Sequence, residues 1–483
     1  MRKTIVTTVL TLLFGFITKA AFIDSLIYKY SYSKLQVDSI LNANGIPASI
    51  LGTTYDIEVY KVRYNTVSYD STATYASGML AFPTHADCKF PLISFGHGTQ
   101  TVKEAVPSRI VGGEAIIGMV MASLGYVATI PDYLGMGDAP SGILHPYQLA
   151  STEASATIDL LRSAREASAL LNFRLNGQLF LTGYSQGGHT TMATHKKIQQ
   201  DLSNEFTVTA SCPMSGPYDM SGVMVDVMLS DSVYPTPAYL PYLIFGWNQK
   251  YQFYSNPSDY LVSPYDTLLP PKFNGIYDLG YLNSITPSVP KHIFKQVMID
   301  SFTNNLNHPF RIALAQNDVY NWKPTSPVRI MFTRADKEVN WHNAVTLYNS
   351  FVGQGATNID TVCVSETLAH YDAAQFAILG MKSYFESFKI IDSCLVNSIS
   401  GYKTDLISVY PNPSSDLITI TVQTFYDIDK LFAVDAIGKV VALPFSNKFG
   451  SIETNVRELP EGLYFFKGVT NGRETLLGRF LKQ

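Results

Sequence analysis

The sequence predicts an α/β protein: a mostly parallel sheet with helices on both faces, interrupted by a long insertion and followed by a small, separate β-sandwich. Three observations carry this expectation. Between Phe90 and Cys212, continuous apolar runs alternate with amphipathic helical stretches, as buried parallel strands joined by crossover helices do. One of those runs, Leu179 to Thr182, ends in Gly183-Tyr184-Ser185-Gln186-Gly187 and passes at once into a helix-capable segment, Thr190 to Asp201. Beyond Cys394 the composition changes to short alternating strands separated by Pro, Asn and Gly turns.

The bulk properties narrow the class further. A chain of 483 residues has room for about two to three domains. With 46% hydrophobic and 15% charged residues it can fill large cores, which excludes a disordered or fibrous protein. A net charge of -4 with no basic stripe argues against nucleic acid as a partner. The first residues pair a basic start, Arg2-Lys3, with the apolar run Ile5 to Ile17 and small residues at Ala20-Ala21, which is the layout of a secretory signal over residues 1–20. No later run approaches the roughly 20 apolar residues of a spanning helix, so no transmembrane segment is expected and the mature chain is expected to be exported. Cys88, Cys212, Cys363 and Cys394 suit an oxidising compartment as local staples; three pairings, and free thiols, remain open.

In chain order, Ala21 to Gly52 reads as an arm with helical turns near Ser33 to Asn42. Tyr55 to Tyr64 and Ala73 to Phe82 read as adjacent strands, and Phe90 to Phe95 as a buried one that ends in Gly96-His97-Gly98-Thr99. A helix over Gly112 to Leu124 leads to a strand over Tyr126 to Asp132 and the loop Asp132-Tyr133-Leu134-Gly135-Met136-Gly137, where Asp132 is read as a loop anchor. Ser151 to Leu171 is an amphipathic helix, capped by Ser151 or Thr152, with Glu153 in its first turn and Ile158, Leu161, Ala164 and Ala167 on one face.

After the serine strand and helix, Phe206 to Cys212 is the next strand. The alternation then breaks over about 214–326, a segment crowded with Tyr, Phe, Pro and Asn and too long for a structureless loop. It is expected to be an inserted cap, helical over Lys291 to Asn304 and Pro309 to Ala315, whose aromatics line a cleft or form its own core. The sheet resumes at Val328 to Thr333 and ends with Ile359 to Val364, ahead of a helix over Ala373 to Phe388. The expected domains are therefore 21–394, a linker over 395–403, and a β-sandwich over 404–483.

The chemistry converges on Ser185. A serine between a strand and a helix sits on a turn so tight that side chains two residues to either side would collide with neighbouring backbone, which is the reason for glycine at 183 and 187. Its hydroxyl is a weak nucleophile and needs a base, and the base needs a carboxylate to hold its tautomer. Asp336 and His370 stand at the ends of the last two strands, on the same sheet edge and in the order Ser, Asp, His. Glu338 is the reserve acid. His189 lies on the serine helix and is read as pointing away or capping locally, His97 as anchoring its turn, and His342 as too close to Asp336 in sequence. Oxyanion donors are expected from the main chain of Gln186 and from the free N–H groups of the Gly96-His97-Gly98-Thr99 turn. Tyr184, Tyr133 and Trp247 are candidates for substrate contact.

Together, Gly183 to Gly187, Gly96-His97-Gly98-Thr99, Asp132 to Gly137, Asp336 and His370 resemble the α/β-hydrolase fold, most closely its secretory lipase branch, over roughly Tyr55 to Phe388. The resemblance implies Ser185 as nucleophile, His370 as general base, Asp336 as its orienter, Gln186 with Thr99 or Gly98 as oxyanion donors, and no cofactor. Tyr410-Pro411-Asn412-Pro413, Leu459 to Tyr464 and Gly478 to Lys482 look like the C-terminal sorting domain of the type IX secretion system, which implies that machinery as a partner. The expected activity is hydrolysis of carboxylic esters. A serine peptidase on the same fold and a non-catalytic surface protein are the alternatives, and neither acyl length nor alcohol is specified.

Overall fold

The computed structural model describes residues 21–84, 88–110, 113–392, 407–422, 428–435, 439–448, 451–470 and 473–483. The expected signal at 1–20 and linker at 395–403 lie outside these residues. The chain divides into two compact units, Met1–Cys394 and Leu395–Gln483.

The first unit runs β1 (Ile23–Tyr32), α1 (Lys34–Ala43), the single turn α2 (Ala48–Leu51), β2 (Ile57–Val67), β3 (Ala73–Pro83), β4 (Lys89–Gly96), α3 (Gly113–Ser123), β5 (Val127–Pro131), α4 (Ala150–Leu170), β6 (Arg174–Tyr184), α5 (Gln186–Asp201) and β7 (Ala210–Met214). The cap follows as α6 (Val223–Leu229), α7 (Tyr239–Tyr251), α8 (Tyr265–Leu268), α9 (Leu279–Ile285), α10 (Gln296–Asn304) and α11 (Pro309–Gln316). The sheet then resumes through β8 (Val328–Thr333), α12 (His342–Gly353), β9 (Ile359–Ser365) and α13 (His370–Glu386).

These strands form one nine-stranded sheet in the order β1-β2-β3-β5-β4-β6-β7-β8-β9. From β5 to β9 in that order the neighbours are parallel, while β1, β2 and β3 run antiparallel to their neighbours. Side chains alternate across it. Leu80, Phe82, Leu92, Leu179 and Leu181 face Ile158, Leu161, Met192 and Phe351 of α4, α5 and α12. Met79, Ala81, Ile93 and Phe180 face Leu41, Met119, Met381 and Phe385 of α1, α3 and α13. Both faces are thus dry, which is what lets continuous apolar runs be strands.

Three local readings are corrected. The arm before Ser33 is strand β1, paired with β2; register shifts between Ile23 and Ser25 and between Tyr28 and Tyr30 break the alternation that would have revealed it. Helix α4 has no side-chain cap from Ser151 or Thr152, because the residue before it is Leu149 and the Ala150 N–H is taken instead by Asn317 Oδ1 at 2.9 Å. Helix α13 begins at His370, three residues before the expected start. Of the cysteines, Cys88 is disulfide-bonded, and Cys212 and Cys363 are free thiols.

The cap has its own core, built on Trp247, Leu261, Phe302 and Phe310. Its two ends are tied together. Asp318, just past α11, accepts from the Ser221 N–H at 3.0 Å and the Ser221 hydroxyl at 2.6 Å, just before α6.

In the second unit, β10 (Ile407–Tyr410), β11 (Leu417–Val422), β12 (Lys430–Asp435), β13 (Val440–Leu443), β14 (Phe445–Lys448), β15 (Ser451–Asn455), β16 (Gly462–Thr470) and β17 (Arg473–Lys482) make two four-stranded sheets. Ile418, Ile420, Ala433, Phe466 and Phe480 fill the core between them. Asn412 bridges back to the last strand, donating to the Arg479 carbonyl at 3.1 Å and accepting from the Leu481 N–H at 2.9 Å. That contact explains why the motifs at 410–413 and 478–482 occur together.

Burial raises the Asp318 carboxyl from 3.8 to about 6. A raised carboxyl binds its proton more tightly in the native state than in the unfolded chain, so this group makes stability fall as pH rises from about 4 to about 6. The urea midpoint of Asp318→Asn, relative to that of the unsubstituted protein, should therefore shift in the variant's favour between pH 4 and pH 8. A pH-independent difference would contradict the assignment.

Candidate active site

The site is built where β4 and β6 lie side by side and end together, with Gly96 opposite Gly183 in register. Two residues on, Ser185 has φ 59° and ψ -120°, a strained conformation that joins β6 directly to α5. The turn is pinned from both sides, by the Ser185 N–H to the Met214 carbonyl at 2.9 Å and by the Gly188 N–H to the Ser185 carbonyl at 2.9 Å. The glycines are demanded by close approach. A Cβ on Gly187 would lie 1.8 Å from the Gly96 carbonyl oxygen, and one on Gly183 would lie 2.4 Å from that of Gly187.

The neighbouring strand ends bring the other two groups in. Asp336, in the loop after β8, accepts from the N–H groups of Glu338 at 2.9 Å and Val339 at 2.8 Å through Oδ1, leaving Oδ2 for His370 Nδ1 at 2.6 Å. A carboxylate cannot donate, so Nδ1 carries the proton and Nε2 presents its lone pair. That Nε2 is buried and has no hydrogen-bond partner among the described residues. His370 is held beside the serine turn by Tyr184, whose hydroxyl donates to the His370 carbonyl and whose ring centroid lies 5.1 Å from the imidazole.

The structure separates the other candidates. Glu338 is not the orienting acid: its carboxylate meets the Tyr239 hydroxyl of the cap at 3.3 Å, and burial raises it against the opposing pull of His370. Gly98 is removed as an oxyanion donor, because its N–H is taken by Glu114 Oε1 at 2.7 Å. Thr99 stays in place, its hydroxyl 2.9 Å from that of Tyr147. The Gln186 N–H opens α5, where the first N–H groups have no carbonyl of their own helix to reach.

Asp132 and His97 are anchors. Asp132 accepts from the Ser108 N–H at 2.9 Å and from the Ser77 hydroxyl, and His97 Nδ1 lies 2.7 Å from the Gly98 carbonyl. Tyr133 and Trp247 are removed as substrate contacts. Both are fully buried, Tyr133 donating to the His97 carbonyl at 3.1 Å and Trp247 to that of Tyr147 at 2.8 Å. His189 points away from the serine but caps nothing; it is buried against Glu153, with Nδ1 2.7 Å from the carboxylate.

Sequence reasoning missed Glu153, His145 and Tyr147. For Glu153 a signal existed: it shares one stripe of α4 with the buried Thr157 and Leu161, and a carboxylate on an apolar face has to have a buried partner. His145 and Tyr147 sit in an irregular loop with no period to expose them. The cap encloses an apolar cavity of about 70 Å³, lined by Tyr147, Met220, Met224, Met228, Tyr239 and Leu243 among others, and by Val339 of the loop that carries Asp336. Among the described residues no cluster of His, Cys, Asp and Glu could hold a metal ion, and no helix is long and apolar enough to cross a membrane.

Solved structures share this architecture. A Legionella pneumophila protein described as a hydrolase is 29% identical with a TM-score of 0.71, over 76% of this chain and 98% of its own. LipA of Xanthomonas oryzae, a rice cell wall degrading esterase, is 28% identical with a TM-score of 0.68, over 76% of this chain and 98% of its own. Candida antarctica lipase A, at 16% identity and a TM-score of 0.56 over 76% of this chain and 82% of its own, shares the fold. No curated protein matches the chain. The first unit thus has the α/β-hydrolase fold. Residues 408–483 match the secretion system C-terminal sorting domain, so the chain carries a type IX export signal that directs it to the cell surface or the medium.

Proposed function

We propose that the protein is an exported serine hydrolase that cleaves carboxylic esters through an acyl-enzyme, delivered by a leader at residues 1–20 and by its C-terminal unit. One observation carries the reading: a buried imidazole, held by Asp336 on one nitrogen and unpartnered on the other, is tied to Tyr184, the residue next to a serine on a strained strand-to-helix turn. His370 Nε2 takes the Ser185 proton as the hydroxyl oxygen attacks the ester carbonyl. The resulting oxyanion is met by the N–H groups of Gln186 and Thr99, and His370 then returns the proton to the departing alcohol. Water, activated by the same nitrogen, cleaves the acyl-enzyme. Similarity to LipA, an esterase by description, supports the ester over the amide.

The apolar cavity supports a short acyl group. Tyr147, in its wall, is one hydrogen bond from Thr99, and Tyr239, also in its wall, is one from Glu338 in the loop that holds Asp336. At about 70 Å³ it is roughly half the ~150 Å³ apolar cavity that takes up benzene, which is room for about three carbons. Methionines in the wall adapt to small differences in shape.

Ser185→Ala should reduce hydrolysis of p-nitrophenyl butyrate to the buffer rate with the fold intact. Asp336→Asn, which gives His370 the wrong tautomer, should lower kcat by about 10⁴-fold. Full turnover by either variant would overturn the assignment. Across acyl lengths, kcat/KM should be at least about tenfold higher for butyrate than for palmitate. A flat or rising profile would move the acyl group out of this cavity.

A further inference from the structure

Behind the serine turn lies a buried polar chain that the reaction scheme does not use. Gln186, Glu153, His189 and His145 are all buried, contributed by α5, by α4 and by the loop before α4. The Gln186 side-chain NH2 donates at 2.8 Å to Glu153 Oε1 and at 2.8 Å to His145 Nε2. His145 Nδ1 lies 2.8 Å from the Leu134 carbonyl. Glu153 Oε2 meets His189 Nδ1 at 2.7 Å, and His189 Nε2 lies 3.0 Å from the Asn317 carbonyl.

The acceptors at the ends of this chain set the sense of its links. Carbonyls only accept, so His145 donates from Nδ1 and must accept at Nε2. Both partners of the Gln186 NH2 are then acceptors, and the amide cannot flip without setting its oxygen against a carboxylate and a lone pair. Its oxygen has no partner among the described residues, so the amide is held by its two donors alone. His189 Nε2 faces a carbonyl and therefore donates; Glu153, lowered by His189 and Gln186 against the cost of burial, stays a carboxylate and accepts from Nδ1, so the ring carries both protons. Burial lowers His145 to about 4, keeping it neutral. His189 is raised, the pull of Glu153 and Asp318 overcoming burial.

We propose that Glu153, His189 and His145 form a buried clamp on the Gln186 side chain that fixes the direction of the Gln186 main-chain N–H toward the oxyanion, making all three positioning residues. The inference rests on the reading of Gln186 as an oxyanion donor. The clamp holds the first residue of α5 where the chain leaves the strained serine and the helix begins. A donor that is preorganised needs no rearrangement as charge develops, and loss of one such donor costs about 10²–10³ in kcat. A donor left in place but loosened should cost less, and the loss should fall on kcat and spare KM.

The test uses the full chain with p-nitrophenyl butyrate, comparing Gln186→Met, which removes the clamped amide and keeps the main-chain N–H, with Glu153→Gln. Both should melt cooperatively, with kcat at 25 °C at least about tenfold lower and KM within about twofold. If Glu153→Gln fails to fold, Gln186→Met carries the test, since it leaves the Glu153–His189 pair whole. Folded Gln186→Met with kcat within twofold of the unsubstituted protein, beside an inactive Ser185→Ala, would overturn the clamp alone. Turnover retained by Ser185→Ala would overturn the hydrolase reading beneath it. Histidine ¹⁵N NMR at pH 7.5 supplies a readout independent of activity: His189 should appear as an imidazolium with two ring protons, and a neutral ring would contradict the clamp.

Discussion

The approach of two backbones sets the geometry of this protein. Gly96 at the end of β4 and Gly187 at the start of α5 come so close that no β-carbon fits between them. The sheet can therefore deliver a helix directly off the end of β6 only by putting Ser185 into a strained turn. The same approach brings the end of β4, from which the loop with Thr99 departs, against the start of α5. Strain of this kind costs on the order of 1–3 kcal/mol and survives only where the surroundings over-determine it. Here they do: Ser185 is pinned to β7 through Met214, the strands around it are dry on both faces, and the Gln186 side chain is rooted in a fully buried polar chain.

Around that turn the polar groups divide their work by position. Asp336 spends one oxygen on two backbone N–H groups and the other on His370, so it is fixed before it orients anything. Glu338, two residues on, turns the opposite way and holds the cap through Tyr239, while the Glu338 carbonyl accepts from Tyr234 at 2.6 Å. The loop that carries Asp336 thus also anchors the cap, which couples the apolar cavity to the proposed triad through a few covalent bonds. The buried pair of Glu153 and His189 has no solvent to stabilise either charge and depends on complete satisfaction, which the main chain of Asn317 supplies.

Much of this was legible in the sequence, for identifiable reasons. Parallel strands buried on both faces show as apolar runs, and the close approach at Gly187 shows as glycine, so the sheet and the position of Ser185 could be read directly. Asp336 and His370 followed from chain order and strand ends. What escaped depended on contacts between distant segments. Asn317 caps α4 from far along the chain, Glu114 takes the Gly98 N–H, and bulges hid strand β1. Trp247 and Tyr133 are candidates for substrate contact by sequence, yet large aromatics are as readily spent on packing, and both are buried with their polar atoms satisfied.

The central claim is that the geometry activates one serine among many. The most direct measurement is to treat the full chain with a fluorophosphonate and map the adduct by peptide mass spectrometry. The account predicts a single phosphonylated site, at Ser185, because a strained turn presents this serine next to Tyr184, which holds an imidazole whose second nitrogen is unpartnered. No adduct, or one on a different serine such as the neighbouring Ser215, would contradict it.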